Sequence, residues 1–232
     1  MKKILSILVK ATIIFIDIFI HRKRIKKFLI QKNFKLNTIF DVGANNGDYS
    51  LMFNKIYPRA KIFAFEANPD LCKIAIKNTK KINNIKIIES AAGNSNSTID
   101  LKIDQNSSLT TSLAIKNKSS TTYKIKKFLY GEKNEKTTKI KLIKLDSFIK
   151  KSHLPNFVKI DVEGFEEEVL KGLINNLRYI DLIMIEFHFD KLYRGYSTHK
   201  IHSLLLKNNF KHIKSVKFPV LKWEDRFYTN IN

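Results

Sequence analysis

The chain is poor in the residues that staple or punctuate a small protein. Its single cysteine, Cys72, excludes an intrachain disulfide framework and a cysteine-based zinc site, and fits a reducing compartment. Glycine and proline are scarce, at seven and four in 232 residues, while Lys, Ile and Asn abound, as expected of a coding sequence biased toward A and T. Acidic residues number 21 against 43 basic ones, a formal net charge of +22. Such a charge suits nucleic acid or an anionic membrane surface. No nucleic-acid module and no aromatic RNA platform accompanies it, and the lysines are scattered, so compositional bias accounts for much of the excess.

A clean hydrophobic run is also missing. Residues Ile4 to Ile20 are strongly apolar, but Lys10 and Asp17 interrupt them, the run falls short of about 20 residues, and no small-x-small cleavage site follows. Neither a spanning helix nor a cleaved signal is expected. At about 100° per residue, Lys3, Ser6, Lys10, Asp17, His21 and Arg24 form one narrow polar stripe on a greasy helix. That helix needs burial on most sides: on the domain, against a second subunit, or in a membrane interface with the basic cluster at 22–27 on anionic headgroups. The expected organisation is an N-terminal helical extension over 1–33 and one domain over 34–232, with 44% hydrophobic content supplying an ordinary core.

What is present centres on Ile39-Phe40-Asp41-Val42-Gly43-Ala44-Asn45-Asn46-Gly47, an apolar run meeting a small-residue turn that opens into a helix at Asp48. Glycines at 43 and 47 permit a tight turn and close backbone approach to a ligand, and the helix start offers free N–H groups. The next apolar run, Ile62-Phe63-Ala64-Phe65, ends in Glu66, a carboxylate placed for a ribose diol. A glycine turn alone also occurs where a helix merely packs tightly on a sheet; the acid at the strand end is what points to a nucleotide.

From Thr38 the signals alternate: strand 38–42, helix 48–56, strand 61–65, helix 69–80 with Asn68 as N-cap, strand 85–90. Right-handed crossovers make this a parallel doubly wound sheet. Alternating apolar residues at Ile99, Leu101 and Ile103, and again from Ile140 to Leu145, flank a Ser-, Thr-, Asn- and Lys-rich excursion at 104–138, expected to be a lid or a mobile loop. The alternation resumes with a strand over 157–160, a helix over 166–173, a strand over 181–187, a helix over 198–206, and strands near 211–215 and 226–230.

Ligands of an open α/β sheet bind beyond the carboxyl ends of the strands, so Asp41, Glu66, Asp161 and Glu186 converge from four tips. Asp161 and Glu163 are spaced i, i+2, which in a strand puts both on one face. His188 shares a strand tip with Glu186 and titrates near neutrality, making it the best-placed base, with Asp161 and Glu163 as rivals. His199 and His202 read as helix surface, and no metal site is expected.

Phe40 to Gly47, Phe65-Glu66-Ala67-Asn68-Pro69, Ser90-Ala91-Ala92, Leu145-Asp146-Ser147-Phe148 and Val158-Lys159-Ile160-Asp161-Val162-Glu163-Gly164-Phe165-Glu166 follow one another in an order that resembles the FkbM-type S-adenosylmethionine-dependent methyltransferases. The resemblance runs from about Ile39 to the C-terminus. It implies the class I, Rossmann-like α/β fold: a seven-stranded, mostly parallel sheet with helices on both faces and one antiparallel strand near the end. It implies that Asp41, Gly43, Ala44, Asn45 and Gly47 wrap the methionine part of S-adenosylmethionine, that Glu66 holds the ribose, that Ser90 and Ala91 line the adenine, and that Asp161 lies near the methionine amine or methyl. Asp161, Glu163, Glu186 and His188 are then the catalytic set, acting on a hydroxyl of a sugar, glycan or small natural product. Asn46 departs from the apolar residue often found at its position.

A nicotinamide-dependent oxidoreductase could use the same cradle, and a nucleic-acid methyltransferase would suit the charge. Against the latter, Asp161 is followed by Val-Glu-Gly and not by a Pro-Pro-aromatic run. The expected location is cytoplasmic, with the N-terminal helix as a point of peripheral membrane contact or dimerisation, and nucleic acid is not an expected partner.

Overall fold

The computed structural model describes residues 2–104, 112–130, 135–150 and 154–231. Ten strands and eight α-helices are found among them. The chain starts with α1 (Lys2–Ile16), a π-helical turn (Asp17–His21) and α2 (Arg22–Lys32), which ends on Asn33 in the left-handed region at φ 51°. There follow β1 (Thr38–Val42), α3 (Asp48–Ile56), β2 (Lys61–Glu66), α4 (Pro69–Thr79), β3 (Ile85–Glu89), β4 (Ala91–Gly93) and β5 (Ser97–Asp104). The remainder comprises α5 (Thr121–Tyr130), β6 (Glu135–Lys144), α6 (Leu145–Phe148), β7 (Phe157–Ile160), α7 (Glu166–Lys171), β8 (Leu182–His188), α8 (Thr198–Lys207), β9 (Phe210–Lys217) and β10 (Trp223–Asn230).

Seven strands form the central sheet in the order β3-β2-β1-β7-β8-β10-β9, parallel except for β10, which runs antiparallel to both neighbours. This is the doubly wound sheet expected from the alternation of apolar runs. Its central strands are buried on both faces, and their successive side chains separate two cores. Phe40, Val42, Val158, Ile160, Ile183 and Ile185 face α7 and α8, whose Val169, Leu170, Ile201 and Leu205 complete that layer. Ile39, Ile62, Phe157, Leu182 and Met184 face the other way, onto Ile25, Phe28 and Leu29 of α2 and Phe53 of α3. The second half of the N-terminal helix is therefore part of this core, whereas α1 exposes Ile4, Ile7, Leu8 and Phe15.

The π turn explains why the polar stripe is not continuous. An i→i+5 turn adds a residue and rotates the next turns of helix, so His21 is fully buried while Arg24, expected beneath it, is exposed. A second, three-stranded sheet, β4-β6-β5, stands beside the first. The excursion over 104–138 lies within and beyond it: residues 105–111 and 131–134 fall outside the described residues, 135–138 belong to β6, and 121–130 form the helix α5 against α1. Where a lid or loop was expected, the described part is largely regular structure.

Candidate functional site

The turn after β1 is laced to β2. The N–H groups of Gly43 and Ala44 both donate to the Phe65 carbonyl at 2.9 Å. Asn45 N–H donates to Glu66 Oε2 at 2.7 Å and Asn68 N–H to Oε1 at 2.8 Å, so the Glu66 carboxylate is fixed by two backbone donors and keeps lone pairs free for a ligand. Burial raises the pKa of Glu66, and those two hydrogen bonds oppose the shift. Below it, Cys72 Sγ donates to the Glu66 carbonyl at 3.2 Å.

The two glycines serve the fold more directly than a ligand. A Cβ on Gly43 would stand 1.8 Å from the Asp161 carbonyl oxygen, so this glycine lets the β1 turn lie against the end of β7. Gly47, at φ +86°, starts α3 in a left-handed conformation beside Ala75 and Thr79 of α4. Gly47 itself is not among the residues that line the cavity described below, while its neighbours Asn46 and Asp48 are. Asp41, also expected at the cofactor, lies within β1, fully buried beneath the turn, where Ser50 Oγ donates to it at 2.7 Å.

The partner of Asp41 is Lys159, a lysine in the middle of a buried strand. Its Nζ lies 3.3 Å from Asp41 and 3.3 Å from Asp161, donates to the Gly43 carbonyl at 3.2 Å and sits 4.7 Å from the centre of the Tyr49 ring. Burial alone would lower the lysine pKa, but Asp161 and Asp41 override it and hold the group above its ordinary value. Lys159 thus ties the two loops that carry the site into one charge-paired unit. The sequence offered a signal for it: a buried charge needs partners, and Asp41 stands opposite it in the neighbouring strand.

Beyond β7 the chain leaves strand geometry, so the i, i+2 argument for Asp161 and Glu163 does not apply. Asp161 turns to Lys159, while Glu163 adopts φ 55° and accepts from Tyr193 Oη, with Lys126 of α5 at 3.7 Å. Both still face the cavity. Gly164 is required here, since a Cβ would meet the Tyr193 ring at 2.4 Å. Glu166 is buried and holds the loop, its Oε1 accepting from Val162 N–H and Gly164 N–H at 3.1 and 3.0 Å. Burial of Glu163 would raise its pKa, but Lys126, His188 and Tyr193 bring it below the usual carboxylate range.

His188 closes the arrangement. Its Nε2 is 2.8 Å from Glu186 Oε2, its ring meets Tyr193 and Tyr196 edge-on, and its N–H donates to Tyr196 Oη at 3.2 Å. Burial alone would lower the imidazole; Glu186, with Glu166 and Glu163 behind it, overrides this and lifts it to about 10. These carboxylates favour the imidazolium, which donates and does not accept, while burial and the charge of Asp161 raise Glu186 beside it. Glu166, Glu186 and His188 each bring a ligand atom within 4.8 Å of the others, but an imidazolium has no lone pair for a metal, so the trio reads as a charge-paired cluster. His199 is exposed on α8 and His202 contacts Tyr228 Oη at 2.8 Å, both away from the cavity.

These groups surround one cavity of about 560 Å³ at the carboxyl ends of β1, β2, β7 and β8. Gly43, Ala44, Asn45, Glu66, Ser90 and Ala91 line one part, and Asp161, Glu163, Glu186 and His188 another. Lys159, Glu166, Tyr193, Lys126 and the pair of His21 with Asp225 were not assigned roles from sequence. Helices α1 and α5 wall the outer part.

The sequence pattern of the methyltransferase FkbM domain matches residues 41–212. The hexuronic acid methyltransferase AglP of Haloferax volcanii is 27% identical over 164 residues, which are 70% of this chain and 60% of that protein. The chain therefore spans about three fifths of the length of this curated relative. Among solved structures, a putative rRNA-methylase of Clostridium thermocellum superposes with a TM-score of 0.54 at 10% identity, covering 91% of this chain and 96% of the other. The N-methyltransferase NodS of Bradyrhizobium japonicum gives 0.52 at 8% identity, covering 93% and 99%. These two show the shared fold. The cavity fits S-adenosylmethionine by its own chemistry: Glu66 offers free lone pairs, and Ser90 Oγ in the wall is buried without a hydrogen-bond partner among the described residues. With residues 41–212 matched and the cradle in place, the chain belongs to the FkbM family of S-adenosylmethionine-dependent methyltransferases.

Proposed function

We propose that this methyltransferase acts on a hydroxyl of a sugar unit, free or within a glycan. The observation that carries the reading is the acidic, hydrogen-bonding floor of the cavity, where Asp161, Glu163, Glu186 and His188 stand beside the cofactor cradle; the likeness to a hexuronic acid methyltransferase supports it. Such a floor suits an acceptor with several neighbouring hydroxyls. We assign Glu66 to the ribose hydroxyls, Ser90 and Ala91 to the adenine, and Gly43, Ala44 and Asn45 to the turn around the amino-acid end.

When bound, S-adenosylmethionine supplies an electrophilic methyl on a sulfonium centre. The chain's residues then have two tasks, alignment and proton removal. Alignment falls to Glu163, fixed by Tyr193 and Lys126, and to the imidazolium of His188, which donates to an acceptor oxygen. Asp161, the most accessible of these acids, would take the proton of the acceptor hydroxyl, and S-adenosylmethionine, when bound, would supply the methyl and leave as S-adenosylhomocysteine.

Incubation of the purified protein with methyl-labelled cofactor and a panel of uronic acids, hexoses and deoxysugar glycans tests the proposal. Labelled sugar methyl ether is expected, with turnover in Asp161→Asn reduced far more than the lowered melting temperature accounts for, since Lys159 keeps Asp41 when it loses Asp161. Label that appears only on amines or nucleic acid, or an Asp161→Asn variant as fast as the parent, would falsify it.

A further inference from the structure

The outer wall of the cavity differs from its floor. Ile13 and Ile14 of α1, Ile18 of the π turn and Ile125 of α5 line it beside Thr122 and Lys126, and α1 and α5 touch each other. The same two elements carry bare apolar side chains outward. Ile7, Leu8 and Phe15 of α1 are 57%, 58% and 56% exposed, Phe128 on α5 is 51% exposed, and Phe19 of the π turn joins them at 59%. Scattered apolar residues are ordinary; a cluster of this kind at the mouth of a site is not.

We propose that this mouth is a membrane-docking rim: α1 and α5 settle into the surface of an anionic bilayer, and the acceptor hydroxyl arrives from that surface on a membrane-anchored amphiphile. Charge selects a bilayer over a second copy of the chain. Exposed Lys23, Arg24, Lys26 and Lys27 follow the apolar stretch directly, and a chain of net charge +22 is drawn to anionic headgroups but repelled by its own copy. Geometry selects lying on the membrane over spanning it. The helix over Ile4–Lys32 is long and apolar enough to cross by length and composition, yet from Asp17 onward it is pinned to the domain. Arg22 bridges Asp17 and Asp48 at 2.6 and 2.8 Å, and His21 is buried on Asp225 at 2.7 Å. The apolar stretch between Lys2-Lys3 and Asp17, residues 4–16, is about 20 Å of helix, too short for a hydrocarbon core of about 30 Å. The second half of the proposal, the amphiphilic acceptor, rests on the sugar-hydroxyl reading above; the docking half does not.

Co-sedimentation of the full chain with phosphatidylcholine vesicles, with and without phosphatidylglycerol, tests the rim. The parent should sediment with the anionic vesicles only, less so as salt rises. Phe15→Glu with Phe19→Glu, and Phe128→Glu alone, should each weaken sedimentation by about tenfold or more, with melting temperature and S-adenosylhomocysteine affinity unchanged. A parent that stays in the supernatant, or a dimer in vesicle-free solution that Phe15→Glu dissociates, overturns docking. The single tryptophan, Trp223, lines the cavity and reports the route. Dodecyl maltoside below its micelle concentration should shift its emission and maltose should not; equal responses overturn the apolar route. Failure of S-adenosylhomocysteine to bind would instead strike the methyltransferase reading.

Discussion

At Lys159 one side chain decides both the stability and the shape of the site. Lys159→Met would leave Asp41 and Asp161 facing each other without a cation, and breaking a buried pair from one side costs about 3 to 5 kcal/mol, measurable by denaturant unfolding. Glu66→Gln removes the charge and turns one acceptor oxygen into a donor against the N–H of Asn45 or Asn68, so it should weaken S-adenosylhomocysteine by at least about tenfold to a hundredfold in calorimetry, in line with about 1.5 to 3 kcal/mol for a hydrogen bond to a charged group. Gly43→Ala should behave differently: its methyl meets the Asp161 carbonyl, so lost stability and lost binding arrive together. His188 carries the pH dependence. Its folded-state pKa, about 10, lies above the ordinary 6.5, so holding its proton contributes stability that is present below about pH 6.5 and lost as pH rises through about 10, while burial raises the partner Glu186, whose protonation on the acid side removes the ion pair itself. Thermal melts across that window should show the loss, reduced in His188→Gln, and turnover should fall over the same range; a rate that climbs toward pH 10 would make the imidazole the base. The acids at the strand tips were legible because strand ends carry function in this sheet class. Which acid faces ligand and which is buried underneath was not: Asp41 and Glu66 read alike in sequence, and only the lysine on the next strand separates them.

Among the elements, the N-terminal helix joins two different environments across its π turn. Sequence periodicity showed a greasy helix with one polar stripe, but an extra residue in a turn leaves no mark on composition, so the change of face at Asp17–His21 was not legible. Its consequence is testable by truncation. Removing residues 1–12 should leave the melting temperature close to that of the parent, since the segment buries little. Removing 1–33 should lower it sharply, because Ile25, Phe28 and Leu29 fill the core and His21 partners Asp225. His21→Ala in the full chain should reproduce part of that loss. The β-strands and most helices of the main sheet were legible from alternation and from caps such as Asn68, whose side chain accepts from Asp70 N–H. Helix α5 was not, since its polar, lysine-rich surroundings mask an apolar face that α1 and the cavity supply with contacts.

For the molecule as a whole, the seven-stranded order with its antiparallel β10 followed from the resemblance, while the separate three-stranded sheet arises from long-range pairing of β4 with β6, about 50 residues apart, which local periodicity cannot announce. The molecule also has only one thiol, and the fold silences it. Cys72 is buried, donates to the Glu66 carbonyl, and burial with the charge of Glu66 pushes it up to about 12. Thiolate, the form that reacts with oxidants and alkylating probes, is then scarce at any working pH. A cysteine placed at position 15 or 128 would accordingly be the one site a maleimide dye finds, and distances or depth readings taken from it would need no background correction from the native chain.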